Sequence, residues 1–204
     1  YACAQPGIGG AIMVTASHNP KNDNGMKLVA WDERRRAVKA LTREAGLLAI
    51  EEKVRTRCLK TAVHPGRSQH WNAVPGYLSK LLDFVRDVDL DAFARANGRP
   101  LKIVANAGNG GAGLMVNELE PHLPFEFVKV FFEPDGNFPN DVPNPLKNEK
   151  SNAATRQAIL DTGADFGVAW DGDYDRCFFF DETGAFIDGY YVVGLLATQL
   201  LATN

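Results

Sequence analysis

The sequence predicts an α/β protein with mixed or mostly parallel sheets sandwiched by helices. Two observations point there. Beyond residue 100, short β-prone runs alternate with helix-forming runs, a pattern that builds a largely parallel sheet covered on both faces. The composition, 45% hydrophobic and 23% charged over 204 residues, supplies apolar material for a real core and fits one large or two small domains.

In chain order, residues 11–15 form a β-prone run that ends in the polar cluster Ala16-Ser17-His18-Asn19-Pro20, a strand running into a loop. Residues 26–30 are the next strand. A helix is expected within 38–57, where Leu41, Ala45, Leu48 and Ala49 are apolar, with Gly46 interrupting it. Residues 65–72 read as a loop, and 77–88 as a helix with Leu78, Leu81, Leu82 and Val85 at helical spacing. Asn97-Gly98-Arg99-Pro100 is the best linker. After it come strand 101–105, helix 113–120, strand 125–132, helix 151–162, and strands 166–170 and 177–181. Residues 191–201 read as a helix still in progress at Asn204, and the opening Tyr1 looks like a chain entered midway.

The charge balance narrows the partners. A formal net charge of −3 argues against a nucleic-acid surface, and Arg34-Arg35-Arg36 reads as a solvated face. Cys3, Cys58 and Cys177 offer neither zinc spacing nor a disulfide framework, which points to a reducing compartment. No run approaches a membrane span and no signal peptide opens the chain, so a cytoplasmic location without membrane contact is expected. His64, His70 and His122 read as solvated, Trp31, Trp71 and Trp170 as packing residues, and Phe178-Phe179-Phe180 as a buried strand.

Three constellations carry chemistry. In Thr15-Ala16-Ser17-His18-Asn19-Pro20, a serine at a strand end presents a hydroxyl that can accept and return a phosphoryl group. His18 and Asn19 stand beside it, and Lys27 supplies a cation or proton carrier. The bland alternative is a polar turn stopped by Asn-Pro, and no Gly-x-Ser-x-Gly elbow is present. In Asp171-Gly172-Asp173-Tyr174-Asp175-Arg176, three carboxylates alternate after a strand. They can converge only if their repulsion is offset, as by a hard cation with oxygen ligands, and the planar fork of Arg176 suits a phosphate. An EF-hand is rejected because Arg176 stands where its turn needs glycine and the flanks read as strands. An acidic surface turn remains the plain alternative. A haloacid-dehalogenase loop fails, because Asp175 occupies its Thr/Val position.

The third constellation, Gly108-Asn109-Gly110-Gly111-Ala112-Gly113, satisfies G-x-G-x-x-G between a strand and a helix, with Glu133 at the end of the next strand. It supports a rival reading, a dinucleotide-binding oxidoreductase, or else a tight strand-to-helix turn.

Together the serine and aspartate loops resemble the α-D-phosphohexomutase superfamily, whose loops read Thr-Ala-Ser-His-Asn-Pro and Asp-Gly-Asp-x-Asp-Arg. The likeness continues through Asn24-Gly25-Met26-Lys27, Asp135-Gly136-Asn137-Phe138-Pro139, Pro143-Asn144-Pro145 and Gly189-Tyr190-Tyr191. The tail is similar to the bacterial phosphomannomutase/phosphoglucomutase branch. The resemblance implies an isomerase of the phosphotransferase type, acting on hexose phosphates through a hexose bisphosphate. In it Ser17 is the phosphoserine, Ser17, Asp171, Asp173 and Asp175 hold Mg²⁺, Lys27 is the general acid/base, Arg176 contacts the phosphoserine, and His18 and Asn19 line the loop. It further implies two domains of a four-domain architecture: 1–98 as part of domain 1, 99–186 as domain 2, and 187–204 as the start of domain 3. On that reading the chain alone is expected not to isomerise a hexose phosphate at a normal rate. The glycine loop becomes a turn.

Overall fold

The β-prone residues Ile12, Met13 and Val14 lie in strand β1 (Gly10–Val14) of the computed structural model, which describes residues 1–59, 63–64 and 66–202. The chain forms two units: residues 1–15 with 24–81, and residues 16–23 with 82–204.

In the first unit, β1, β2 (Met26–Asp32) and β3 (Ala37–Ala40) make an antiparallel sheet in that order. The helix expected within 38–57 is present and occupies the second half of that window. The carboxylate of Asp32 accepts from the backbone N–H groups of Arg34 and Arg35, and Arg36 takes a left-handed φ of 49°. That turn folds residues 37–40 back onto β2 as a strand. Gly46, at φ 144°, then kinks the π-type turn (Arg43–Leu47) that leads into helix α1 (Leu48–Arg55). Helix α2 (Val74–Asp83) begins earlier than its leucine spacing predicts, because Asn72 accepts from the Val74 N–H and Pro75 occupies the first turn. Trp71 is about half exposed and stacks on Tyr1, so it packs only in part. Pro65, the first residue of the predicted loop, and Asn204, where the last helix was expected to continue, lie outside the described residues.

The second unit carries a mixed sheet. A short helix α3 (Ala92–Asn97), which the apolar spacing does not announce, ends at Gly98 with φ 68°. The sheet contains β4 (Leu101–Asn106), β5 (Phe125–Val130), β6 (Phe166–Trp170), β7 (Cys177–Phe180) and β8 (Phe186–Ile187), in the order β5-β4-β6-β7-β8. β4 runs parallel to β5 and β6, whereas β7 and β8 turn back antiparallel. Helix α4 (Ala112–Leu119) follows β4. Helix α5 (Glu149–Thr162) is capped by Asn148, whose side chain accepts from the Ser151 N–H, and ends at left-handed Gly163.

Alternation along the strands places one apolar set on each face. Val104, Ala169 and Phe180 pack with Ile159 of α5, while Ile103, Ala105 and Val168 pack on the opposite side. Asp165 clasps the start of the sheet. It accepts from the Arg99 guanidinium at 2.6 and 2.7 Å and from the Lys102 N–H at 2.8 Å, and the Arg99 bond holds its carboxyl below the usual range.

Helix α6 (Gly189–Ala202) is apolar on several sides, with Tyr190, Tyr191, Val193 and Leu195 exposed. Among the described residues no helix is long and apolar enough to cross a membrane.

Asn106, at the end of β4, is buried and fully bonded. Its amide donates to Ser151 O at 3.2 Å, Ser151 Oγ at 3.0 Å and Thr155 Oγ1 at 2.8 Å, and its Oδ1 accepts from the Gly108 N–H at 2.9 Å. Substituting Asn106→Ala strands these groups in the interior. The expected loss is about 1–3 kcal/mol, seen as a lower denaturant midpoint at unchanged slope.

Candidate active site

Strand β6 delivers the acidic loop to the carboxyl edge of the sheet. The Tyr174 N–H bonds Asp171 O at 3.0 Å, Tyr174 has φ 47°, and β7 resumes pairing at Cys177 opposite Trp170. Asp171 is completely buried. Its Oδ1 accepts from the Arg176 backbone N–H at 3.1 Å, and its Oδ2 from Arg176 Nε and Nη2 at 2.8 and 2.6 Å. A buried carboxylate is tolerable only with such compensation.

Asp171, Asp173 and Asp175 each turn one carboxylate oxygen into a common space, all three within 4.8 Å of one another. Arg176 reaches toward Asp175 as well, with Nε 3.6 Å from its Oδ1. One guanidinium cannot neutralise three carboxylates, and a set of hard oxygen donors fits a divalent cation such as Mg²⁺ or Mn²⁺. The residues present therefore fit a metal.

Ser17 belongs to the same unit, because residues 16–23 group with the second. It sits in a tight turn closed by the Asn19 N–H to Ala16 O at 3.1 Å, with a left-handed φ of 57° that a non-glycine residue rarely adopts. The turn aims Oγ at the acidic loop: 3.0 Å from Asp173 Oδ1 and 3.5 Å from Asp171 Oδ2, with His18 Nδ1 at 3.2 Å. A hydroxyl has one proton, so it donates to one of these at a time. Arg176 Nη2 also meets His18 Nδ1, and since Arg only donates, that nitrogen accepts.

The structure thus brings together Ser17, His18, Asp171, Asp173, Asp175 and Arg176. Asn19 is exposed and contributes its backbone to the turn. Lys27 lies on β2 of the first unit, opposite Met13. Lys21, which in the sequence is only a neighbour of the serine, donates to Asn137 Oδ1 at 3.4 Å.

The glycine loop is built for packing. Three of its N–H groups are engaged: Asn109 to Phe131 O at 2.7 Å, Gly110 to Ala107 O at 2.8 Å and Gly111 to Gly172 O at 3.0 Å. A Cβ on Gly113 would lie 2.2 Å from Phe132 O. The backbone carbonyl of Glu133 accepts from Asn109 Nδ2 at 2.9 Å. The donors of Asn109, Gly110 and Gly111 are spent on the protein itself, and the close packing of the loop on Gly172 and Phe132 accounts for its glycines without a dinucleotide.

Comparison with known proteins agrees. The model for phosphoglucomutase/phosphomannomutase alpha/beta/alpha domain II matches residues 75–184, and that for domain I matches residues 1–43. The chain belongs to the phosphoglucomutase/phosphomannomutase family. It is 53% identical over 194 residues to a protein of Xanthomonas campestris pv. campestris (strain B100) named "Phosphohexose mutases", covering 95% of this chain and 40% of that one. It is 41% identical over 206 residues to a Vibrio cholerae phosphomannomutase, covering 98% and 42%.

A phosphoglucomutase/phosphomannomutase family structure from Burkholderia thailandensis superposes with a TM-score of 0.79 at 30% identity, over 96% of this chain and 38% of that one. A Thermus thermophilus structure shares the fold, with a TM-score of 0.70 at 23% identity, over 96% and 42%. The chain spans about 40% of the length of these family members.

A divalent cation on the three carboxylates should stabilise the folded chain. At a free concentration of about 100 times Kd the gain is about 2.7 kcal/mol, read as a rise in Tm that EDTA reverses and Asp173→Asn removes.

Proposed function

We propose that this family member carries the phosphoryl-transfer part of a phosphohexose mutase that interconverts mannose 6-phosphate and mannose 1-phosphate, with glucose phosphates as further substrates. The observation that carries this reading is Ser17 Oγ lying 3.0 Å from Asp173 Oδ1, beside a three-carboxylate group. The names of the relatives, phosphohexose mutase and phosphomannomutase, support the substrate class.

In the proposed reaction Ser17 carries the phosphoryl group. The Ser17 Oγ–P bond breaks as a sugar hydroxyl forms the new O–P bond, and Lys27 takes the hydroxyl proton. The resulting hexose bisphosphate turns over and returns its other phosphoryl group to Ser17. The sugar oxygen released at that step regains a proton from Lys27, which closes the cycle. Asp171, Asp173 and Asp175, with the phosphorylated Ser17, would hold Mg²⁺, which when bound neutralises charge on the transferring group.

His18 and Arg176 lie against the serine and Asp171 and orient both, and Arg176 is a phosphate contact once Ser17 is phosphorylated. Asn19 shapes the turn. Phosphoryl transfer depends on positioning and charge neutralisation, and these groups supply both.

The reading includes the domain division at residues 98 and 186 and a cytoplasmic setting, without nucleic-acid or membrane partners. It is tested by intact mass after incubation with a hexose bisphosphate and Mg²⁺. The expected result is one phosphoryl group, mapped to Ser17, removed by phosphatase and absent in Ser17→Ala. An unmodified chain, or modification elsewhere, would contradict it.

A further inference from the structure

Gly172 separates Asp171 from Asp173, and its backbone is not in the left-handed region, so alanine would suit its conformation. What it lacks is room. A Cβ there would lie 2.6 Å from the carbonyl oxygen of Ser17 and 3.3 Å from Pro143 Cγ. From the opposite side, Gly111 N–H donates to Gly172 O at 3.0 Å, and a Cβ on Gly110 would lie 2.6 Å from that oxygen and 2.9 Å from Gly172 Cα. Behind these, a Cβ on Gly108 would meet Pro143 Cβ at 2.6 Å, and Gly108 is tied to the buried Asn106 network. The stack therefore runs from the interior through the glycine loop and the acidic loop to the serine turn, chiefly by backbone contact. Backbone atoms have no rotamer with which to yield, so the spacing is fixed.

We propose that Gly172 is a positioning residue that sets the distance between the phosphoryl-carrying hydroxyl of Ser17 and the metal-holding carboxylates; this rests on the function proposed above. Its missing side chain lets the Ser17 carbonyl rest on the acidic loop, which brings Oγ to 3.0 Å from Asp173. A methyl group at 172 comes to ordinary contact with that carbonyl oxygen only at about 3.4 Å, so the two loops separate by up to about 0.8 Å. The acidic loop is braced by Gly111 and by Arg176 on Asp171. The serine turn is the part that moves. The three aspartates stay together on their own loop, so metal binding suffers far less than phosphoryl transfer.

The test compares wild type, Gly172→Ala, Gly110→Ala and Gly136→Ala. Gly136 has nothing within 4 Å of its would-be Cβ and serves as the control. Three quantities are read: Mn²⁺ affinity by electron paramagnetic resonance, the rate of Ser17 phosphorylation by a hexose bisphosphate, and Tm. Gly172→Ala should keep the part of its Mn²⁺ affinity that the three aspartates supply and lose only the Ser17 share, a fall of less than about tenfold, while phosphorylation slows by up to roughly 100-fold, the effect of an ångström of misplacement. Gly110→Ala, which pushes on the acidic loop itself, should weaken Mn²⁺ binding as well, and Gly136→Ala should match wild type.

Wild-type phosphorylation in Gly172→Ala overturns the proposal, as does a loss of Mn²⁺ affinity as large as the loss of rate. If Gly172→Ala unfolds, the comparison is repeated at a saturating Mn²⁺ concentration, which stabilises the folded chain. A refolded variant should still be phosphorylated slowly, and phosphorylation at the wild-type rate overturns the proposal. A wild-type chain that neither binds Mn²⁺ nor takes up phosphoryl sinks the functional reading itself, and the proposal with it.

Discussion

Three carboxylates with oxygens within 4.8 Å of one another repel, and a loop carrying them at the end of a buried strand would open unless that repulsion were offset. Arg176 offsets part of it by forking onto Asp171, the member that is wholly buried. The remaining charge faces the serine turn and is the drive for binding a cation. The other features of the second unit follow from holding this group in place. β4 and β6 run parallel and adjacent, with Asn106 opposite Ala169, so the loops that leave them emerge at the same edge. The glycine loop and the acidic loop must meet there, and they do so backbone to backbone.

The serine arrives from another part of the sequence. Residues 16–23 leave the antiparallel sheet of the first unit, yet pack with the second. The left-handed φ of Ser17 is a local strain of about 1–3 kcal/mol, sustained by the turn and by the acidic loop beneath its carbonyl. The hydroxyl is thereby aimed before any ligand arrives. This is the kind of preorganisation the proposed phosphoryl transfer would require, since in such reactions a protein contributes placement and charge more than covalent chemistry.

Much of this was legible in the sequence, because the decisive residues are local. Asp171, Asp173 and Asp175 alternate within one loop, and Ser17 follows a β-prone run, so both constellations declare themselves without tertiary information. The strands of the mixed sheet were readable from apolar runs such as Phe166 to Trp170. The misreadings have tertiary or capping causes. Residues 37–40 pair as a strand because of the Asp32 turn, and α2 starts early because of Asn72 and Pro75. The glycine pattern at 108–113 looked like a cofactor fingerprint because spacing shows that a backbone is approached closely, and only the fold shows by what. Here it is Gly172 and Phe132. That four separated segments converge at Gly172 was not readable at all, since a steric gap leaves no mark in one sequence.

On the proposed function, Ser17 and the three aspartates form one cation site. Anomalous diffraction from crystals of this chain grown with Mn²⁺ tests it most directly. The expected result is one strong peak bonded to oxygens of Asp171, Asp173 and Asp175, with Ser17 Oγ or its phosphate completing the coordination. A peak elsewhere, or one on the aspartates with Ser17 turned away, would contradict it.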